Sequence, residues 1–385
     1  MEFRSAFPVA VLLGAVLGAA AAGGPDEEHA PVSTTASGLV REASAAVSEA
    51  SWDIPVVRNA PVERFIGIFT GRQQDRMALY LKRSGRYEGM IRAKLRERGM
   101  PEDLLYLSMI ESGFNPTAKS HASAVGLWQF IEGTGTRYGL RVDGYVDERR
   151  HPEKSTDAAL DYLEDLHRQF GSWYLAAAAY NTGEGRVARV MRQVTGKEQG
   201  KDADFWRIRG RLPRETREYV PLMVAAALIG KEPAKYGLGG VPRWMPLEHD
   251  EVQVPGGTRL ETVARAVGVT ETEVKRLNPH LVRAMTPPGR QAYPVRVPEG
   301  RAERFAAEFP ALQRRAAQLA AAEAAQQRAE AARRAASVRR HTVRRGESLW
   351  TIARRYDTTV KKVQAANRLG SRSRIRPGQR LVIPS

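Results

Sequence analysis

Apolar residues recur three and four positions apart from Val62 onward, first as Val62-Phe65-Ile66-Phe69 and then as Tyr87-Met90-Ile91-Leu95. That spacing places each set on one face of a helix. The pattern continues through Asp157 to Phe170, Trp173 to Tyr180 and Tyr219 to Ile229, so residues 58–240 are expected to form a mainly helical domain. Gly113, Gly126, Gly133, Gly135, Gly139 and Gly183 mark its corners. The chain before it has a different texture. Met1 to Ala22 carries Arg4 and then an uncharged run through Val9, Val11, Leu12, Leu13, Val16 and Leu17 that ends in small residues. It reads as a secretory signal at 1–22, cleaved after Ala20-Ala21-Ala22; an uncleaved anchor would want stronger apolar residues and a basic flank. Residues 23–57, rich in Ala, Ser, Pro and Glu, read as a flexible linker.

Beyond residue 240 the chain repeats itself at an offset of 89 residues. Val254 falls on Val343, Gly257 on Gly346, Leu260 on Leu349, Ala264 on Ala353, Val274 on Val363 and Asn278 on Asn367. Pro288-Gly289 falls on Pro377-Gly378, and three extra residues bring Val297-Pro298 onto Ile383-Pro384. Each copy, 248–300 and 341–385, reads as strand, glycine turn, two short helices, Asn, Pro-Gly turn and strand, a small βααβ unit. The spacer at 301–340 contains a run, Ala311 to Arg340, without Pro or Gly and rich in Ala, Gln, Glu and Arg, which favours helix. The expected class is α+β multidomain, and a length of 385 residues suits several units.

Composition narrows the chemistry. With 42% apolar and 27% charged residues the chain is neither wholly disordered nor a multi-span membrane protein. The absence of cysteine excludes a thiol nucleophile, and the seven histidines show no HExxH-like spacing, so no metal or other cofactor is expected. The net charge of +17 lies mostly near the C-terminus: nine Arg against four Glu in 301–340, then eleven Lys or Arg against two acids in 341–385. A basic region of this kind suits an anionic polymer. No stacking aromatic series or nucleic-acid motif accompanies it, so nucleic acid is not the expected partner.

The most informative stretch is Pro101 to Pro116. Pro101 and the following acids start a helix that Gly113 and Pro116 stop. Glu111 therefore stands at the negative end of that helix, beyond Met109 and Ile110. Both surroundings disfavour the carboxylate and raise its pKa toward that of a general acid, while position alone equally suits an exposed last-turn Glu.

Glu111-Ser112-Gly113-Phe114, Gly126-Leu127-Trp128-Gln129-Phe130, Ala179-Tyr180-Asn181-Thr182-Gly183-Glu184-Gly185-Arg186-Val187 and Glu215-Thr216-Arg217-Glu218-Tyr219-Val220-Pro221 follow one another along the chain. In that order they resemble the lytic transglycosylase family with a goose-type lysozyme fold, over 58–240. With the repeats behind them they are most similar to the membrane-bound lytic murein transglycosylase D group, which is often lipid-anchored; this chain has no cysteine to carry the lipid. The resemblance implies that Glu111 is the sole catalytic acid and base, cutting the β-1,4 bond between N-acetylmuramic acid and N-acetylglucosamine. The muramyl C6 hydroxyl then closes onto C1 as a 1,6-anhydro ring. Ser112, Gly126, Gln129, Trp128, Tyr180, Asn181 and Tyr219 would line the substrate cleft. Gln129 would meet the sugar N-acetyl group, Trp128 either stacks on a sugar or walls the pocket, and the Tyr219 hydroxyl approaches Glu111. Asp143, Asp147, Glu148 and Glu184 are expected to serve turns and structure.

The last copy, from His341-Thr342-Val343 to Leu381-Val382-Ile383-Pro384, resembles the LysM peptidoglycan-binding module, with Glu347-Ser348 where aspartate-threonine is usual. That resemblance points to a groove formed by Gly346, Glu347, Ser348, Leu349, Ile375, Pro377 and Gly378. The 248–300 copy is degenerate, and sugar binding and packing are both open to it. The expected partner is the glycan strand of peptidoglycan, met by an exported, periplasmic or envelope protein with at most peripheral association. A hydrolytic muramidase and a non-catalytic wall-binding scaffold are the rival readings.

Overall fold

The computed structural model describes residues 52–289, 291–337, 339–370 and 374–384. The expected signal at 1–22 and the linker as far as residue 51 lie outside the described residues. The chain divides into two compact units, one ending at Phe305 and the other starting at Ala306.

The first unit opens with helices α1 (Ala60–Thr70), α2 (Gln74–Glu97), α3 (Leu105–Ser112) and α4 (Glu132–Arg137). It continues with α5 (Pro152–Phe170), α6 (Trp173–Thr182), α7 (Glu184–Thr195), α8 (Asp202–Ile208) and α9 (Arg214–Lys231). Local chemistry sets their starts. Asn59 accepts the Val62 N–H at the head of α1, with Pro61 in the first turn, and Ser172 accepts the Leu175 N–H at the head of α6. Helix α9 is buried from Tyr219 to Ile229 without a break, and it packs on α1, α3 and α6. A helix apolar on every side belongs in the middle of a domain. Its interior Pro221 has no N–H to donate, which frees the Arg217 carbonyl; Arg209 Nε donates to that carbonyl at 2.7 Å.

The expected linker does not reach residue 57. From Trp52 the chain is already packed: Ile54 is buried, Trp52, Val56 and Val57 lie against the core, and the Asp53 carboxylate accepts the Glu102 and Asp103 backbone N–H groups. Four large apolar residues within six positions, together with a helix-capping carboxylate, override a composition that reads as tether.

Strands β1 (His249–Val254) and β2 (Tyr293–Pro298) pair antiparallel, Val252 opposite Val295, around α10 (Leu260–Val267) and α11 (Glu271–Leu277). This βααβ module belongs to the first unit. Helix α12 (Ala302–Ser337) follows, starting nine residues ahead of the Pro-free run and accommodating Pro310.

In the second unit β3 (Arg339–Thr342), α13 (Leu349–Arg355), α14 (Val360–Ala366) and β4 (Arg380–Ile383) repeat the motif around a core of Val343, Ile352, Ala353, Val363, Leu381 and Ile383. The repeat extends to hydrogen bonds. Asn278 donates to the Val274 and Arg296 carbonyls and accepts the Arg296 N–H; Asn367 does the same with Val363 and Val382. In both copies one amide fastens the second helix to the last strand.

Candidate active site

Helix α3 is eight residues long and buried throughout. It ends at Gly113, whose φ of 59° is left-handed and where an added Cβ would stand 2.1 Å from the Tyr80 ring. Glu111 sits in this last turn, 4% exposed. Its Oε1 accepts a hydrogen bond from the Tyr219 hydroxyl of α9 at 2.5 Å. Burial pushes the carboxyl up to about 8; the Tyr219 bond opposes that shift and the charge of Glu215 adds to it. A carboxylic acid that holds its proton at neutral pH can give it away. The Tyr180 and Tyr219 phenols are held well above their usual range by burial, so both stay neutral donors.

The loop facing Glu111 runs from Asn115 to Ile131. Val125 bridges to Lys119 and to Phe130, closing it on itself. Gly126 has a φ of 92°, and a Cβ there would lie 1.7 Å from the Arg149 carbonyl oxygen, so only glycine fits. Gln129 is also left-handed, at 50°, and its Nε2 donates to the Gly126 and Ala118 carbonyls. Its Oε1 is buried with no hydrogen-bond partner among the described residues. Ser112 Oγ donates to the Leu127 carbonyl at 2.8 Å and receives the Asn115 N–H. Tyr180 donates to the Trp128 carbonyl at 2.7 Å.

These contacts revise several sequence expectations. Trp128 is fully buried in the core and its indole N–H donates to Thr156 Oγ1 at 2.9 Å, which leaves no ring face exposed to stack on a sugar. Ser112, Gly126 and the Gln129 amide nitrogen shape and anchor the loop. Asn181 is likewise engaged, accepting from Thr216 Oγ1 at 2.8 Å and donating to Glu215 Oε1 at 3.3 Å. Glu215, half-buried and with its pKa raised by burial, was not among the residues singled out from sequence. The signal was present: Glu215 and Tyr219 are four apart on α9 and share a face.

The other acids in these segments are occupied. Both Asp147 oxygens receive Arg149, Asp143 accepts the Tyr145 and Val146 N–H groups, Glu148 binds the Arg141 N–H and Lys154, and Glu184 receives Tyr162 and Arg137. Among the described residues no group of His, Cys, Asp and Glu is placed to hold a metal ion. No helix of the described residues is long and apolar enough to cross a membrane.

Residues 88–203 match the family model described as the transglycosylase SLT domain. The chain carries a transglycosylase SLT domain. Residues 341–384 match the LysM domain, and residues 248–314 the LysM-like domain of lytic transglycosylase MltD. The chain is similar to membrane-bound lytic murein transglycosylase D of Escherichia coli (strain K12), 33% identical over 298 residues, 77% of this chain and 63% of that protein. It thus spans less than two thirds of that relative's length. It is also 39% identical over 114 residues to peptidoglycan transglycosylase gp16 of Escherichia phage T7, 29% of this chain and 9% of that one. The solved 70 kDa soluble lytic transglycosylase SLT70 of Escherichia coli matches with a TM-score of 0.32 and 26% identity over 41% of this chain and 25% of that one. The SLT match ends before α9, so the pairing of Tyr219 and Glu215 with Glu111 rests on the structure.

In the LysM domain at 341–384, Gly346, Ser348, Pro377 and Gly378 are exposed, with φ of 86° at both glycines. The Val343 carbonyl accepts the Gly378 N–H at 2.8 Å and joins the two turns. Leu349 and Ile375 pack partly into the core. Glu347 is turned inward, accepting from the Arg344 N–H, from His341 Nε2 and from Arg355, which hold its carboxyl down at about 2. Ser348 caps α13. Trp350, 60% exposed, was not predicted as part of this surface.

In the LysM-like copy the corresponding turns are hydrogen-bonded to each other. Thr286 Oγ1 donates to the Pro255 carbonyl and accepts the Thr258 N–H, Gly257 N–H meets the Thr286 carbonyl, and Leu260 N–H meets the Ala284 carbonyl. Its other side is docked on the SLT domain. Asp147 N–H donates to the His280 carbonyl, Val282 N–H to the Tyr145 carbonyl, Arg283 to the Gly144 carbonyl, and Arg296 pairs with Glu153. The His151 and His280 rings lie 4.6 Å apart inside this contact, both held neutral by burial. Of the two roles left open for this copy, the contacts favour packing.

Proposed function

We propose that this protein is an exported lytic transglycosylase of peptidoglycan, with Glu111 as its acid and base. The single observation that carries the reading is Glu111 itself: buried, its carboxyl pushed up to about 8 by that burial, held by one phenol, and within an SLT domain. Glu111 protonates the glycosidic oxygen as the bond from muramyl C1 breaks, releasing the N-acetylglucosamine 4-hydroxyl. Its carboxylate then takes the proton of the muramyl C6 hydroxyl while O6 bonds to C1. The proton returns to Glu111 and no water is consumed. An internal hydroxyl replaces the second carboxylate that glycoside hydrolases ordinarily use, and gains from proximity. Tyr219 stabilises the carboxylate formed midway, and Gln129 Oε1 is the spare acceptor for a substrate N–H such as that of an N-acetyl group.

The LysM domain holds glycan through its exposed turns, and tethering it to the cleft raises local substrate concentration. The export signal belongs to residues 1–22. Hydrolysis is the second reading, favoured by one observation: Glu215 is a second carboxyl near enough to shift Glu111. Mass spectrometry of digested sacculi separates the two, 1,6-anhydromuramic ends supporting the first and reducing muramic ends the second. Release by Glu111→Gln at the wild-type rate refutes both.

A further inference from the structure

We propose that Arg149 is a positioning residue for Gln129, and that the LysM-like copy docked behind it holds Arg149 in place. This deepens the peptidoglycan reading above, in which Gln129 Oε1 meets a substrate N–H. That oxygen is buried without a hydrogen-bond partner among the described residues, while the other end of the amide is fixed: Nε2 donates to the Gly126 and Ala118 carbonyls. The loop carrying those carbonyls has an unfavourable backbone. Ser123 stands at a φ of 62°, Gly126 at 92° and Gln129 at 50°, all left-handed. Non-glycine residues keep such a conformation only where their surroundings over-determine it.

Arg149 supplies that constraint. Its Nη1 donates to the Ser123 and Phe130 carbonyls, both at 3.2 Å, and so spans the three left-handed positions. Its own carbonyl oxygen occupies the space that a side chain at Gly126 would need. A fork aims the guanidinium: Nε and Nη2 donate to the two Asp147 oxygens at 2.8 Å each, and both side chains are buried. Asp147 is in turn held from the LysM-like copy. Its N–H donates to the His280 carbonyl at 2.9 Å, Val146 bridges to Leu281, and the Val282 N–H donates to the Tyr145 carbonyl at 3.0 Å. Residues 280–282 thus lie along 145–147 as an added antiparallel strand. Arg283 donates to the Gly144 carbonyl at 2.7 Å and Arg296 pairs with Glu153, fastening both flanks. Contact therefore runs unbroken from the LysM-like copy through Asp147 and Arg149 to the loop that aims Gln129.

The test is a double-mutant cycle on the full-length protein, read as kcat/KM for release of anhydro-ended products from soluble glycan strands. Arg149→Lys keeps a cation for Asp147 but cannot span both carbonyls. It should lose about tenfold in the wild-type background, as expected for a charge-assisted contact, and less than about twofold in the Gln129→Ala background, where no amide remains to be aimed. Asp147→Asn, which leaves the guanidinium in place without its fork, should show the same dependence on background. Equal losses in both backgrounds, the mark of general destabilisation, or no loss in either, overturn the positioning role. A second measurement needs no turnover: hydrogen exchange of the Val125, Gln129 and Phe130 N–H groups, which bond within the loop, in wild type and in Arg283→Ala/Arg296→Met. Both substitutions lie in the LysM-like copy and outside the loop. Exchange at the three amides should quicken severalfold while the buried stretch from Tyr219 to Ile229 stays protected, and that result supports the hold on the loop even should wild type release no anhydro ends. Unchanged loop protection, or equal quickening in both regions, overturns the part assigned to the LysM-like copy.

Discussion

Tyr219→Phe removes one hydroxyl and leaves the ring, so it isolates the hydrogen bond to Glu111 Oε1 at 2.5 Å. That bond stabilises the carboxylate over the acid and is the force opposing burial at this site. A hydrogen bond to a charged group contributes about 1.5–3 kcal/mol, and at 1.36 kcal/mol per unit its loss should raise the Glu111 pKa by roughly one to two units. Two effects follow. The protonated enzyme is the competent form for breaking the glycosidic bond, so kcat/KM falls as pH rises through the free-enzyme pKa, near 8 in wild type. In the variant this alkaline limb moves upward. The plateau rate also drops, by about 10- to 100-fold, because the carboxylate forming in the transition state has lost its donor. The assay is initial release of anhydro-ended muropeptides from pH 5 to about 10, read by mass spectrometry. An alkaline limb that stays in place or moves down would refute the reasoning, since the hydroxyl would not then be stabilising the charged form.

Glu111→Gln should abolish turnover and stabilise the fold at neutral pH. The folded pKa lies above the unfolded one, so the native state holds the extra proton and stability falls as pH rises from about 4.5 to about 8. At pH 7 the amide should be ahead by roughly 3 kcal/mol, with the advantage gone at pH 4, as melting curves at the two pH values would show. Gly126→Ala meets the Arg149 carbonyl at 1.7 Å, so activity should fall to background together with a lower Tm. Asn367→Ala removes three hydrogen bonds that join α14 to β4. Co-sedimentation with sacculi should weaken severalfold while turnover of short soluble glycan is unchanged.

The helices and the doubled βααβ motif were legible in the sequence because each depends on local order. Period, caps and the 89-residue echo are all written along the chain. The role of Trp128 was not: whether an aromatic residue in a motif faces the ligand or the core depends here on Thr156, twenty-eight positions away on α5. Ser112 read as ligand-facing for the same reason, since a polar side chain does not reveal which carbonyl it will meet. Trp52 to Val57 escaped because a few apolar residues are enough to pack when a preformed surface awaits them. Glu111 was legible from the order of the motifs and its place at a helix end, although the burial that shifts it comes from packing; for Glu215 the i, i+4 spacing to Tyr219 is written in the chain, but its nearness to Glu111 is not.

Glu215 also separates the two chemistries. As an electrostatic neighbour its charge raises the Glu111 pKa, so Glu215→Gln should lower that pKa and move the alkaline limb of kcat/KM downward, opposite to Tyr219→Phe. The amide can still engage Asn181, whose side chain both donates and accepts, so the pocket geometry should survive. Under transglycosylation the variant keeps cutting at acidic pH and yields the same anhydro ends, because the nucleophile is the sugar's own hydroxyl. Under hydrolysis Glu215 would be the base that activates water, and its amide would lose turnover at every pH. An acid-side rate within a few-fold of wild type, with a limb displaced toward acid, leaves Glu111 as the one carboxyl through which the proton passes. Collapse of turnover at pH 5 with a melting curve unchanged would instead make Glu215 the second catalytic group and overturn the single-carboxylate mechanism.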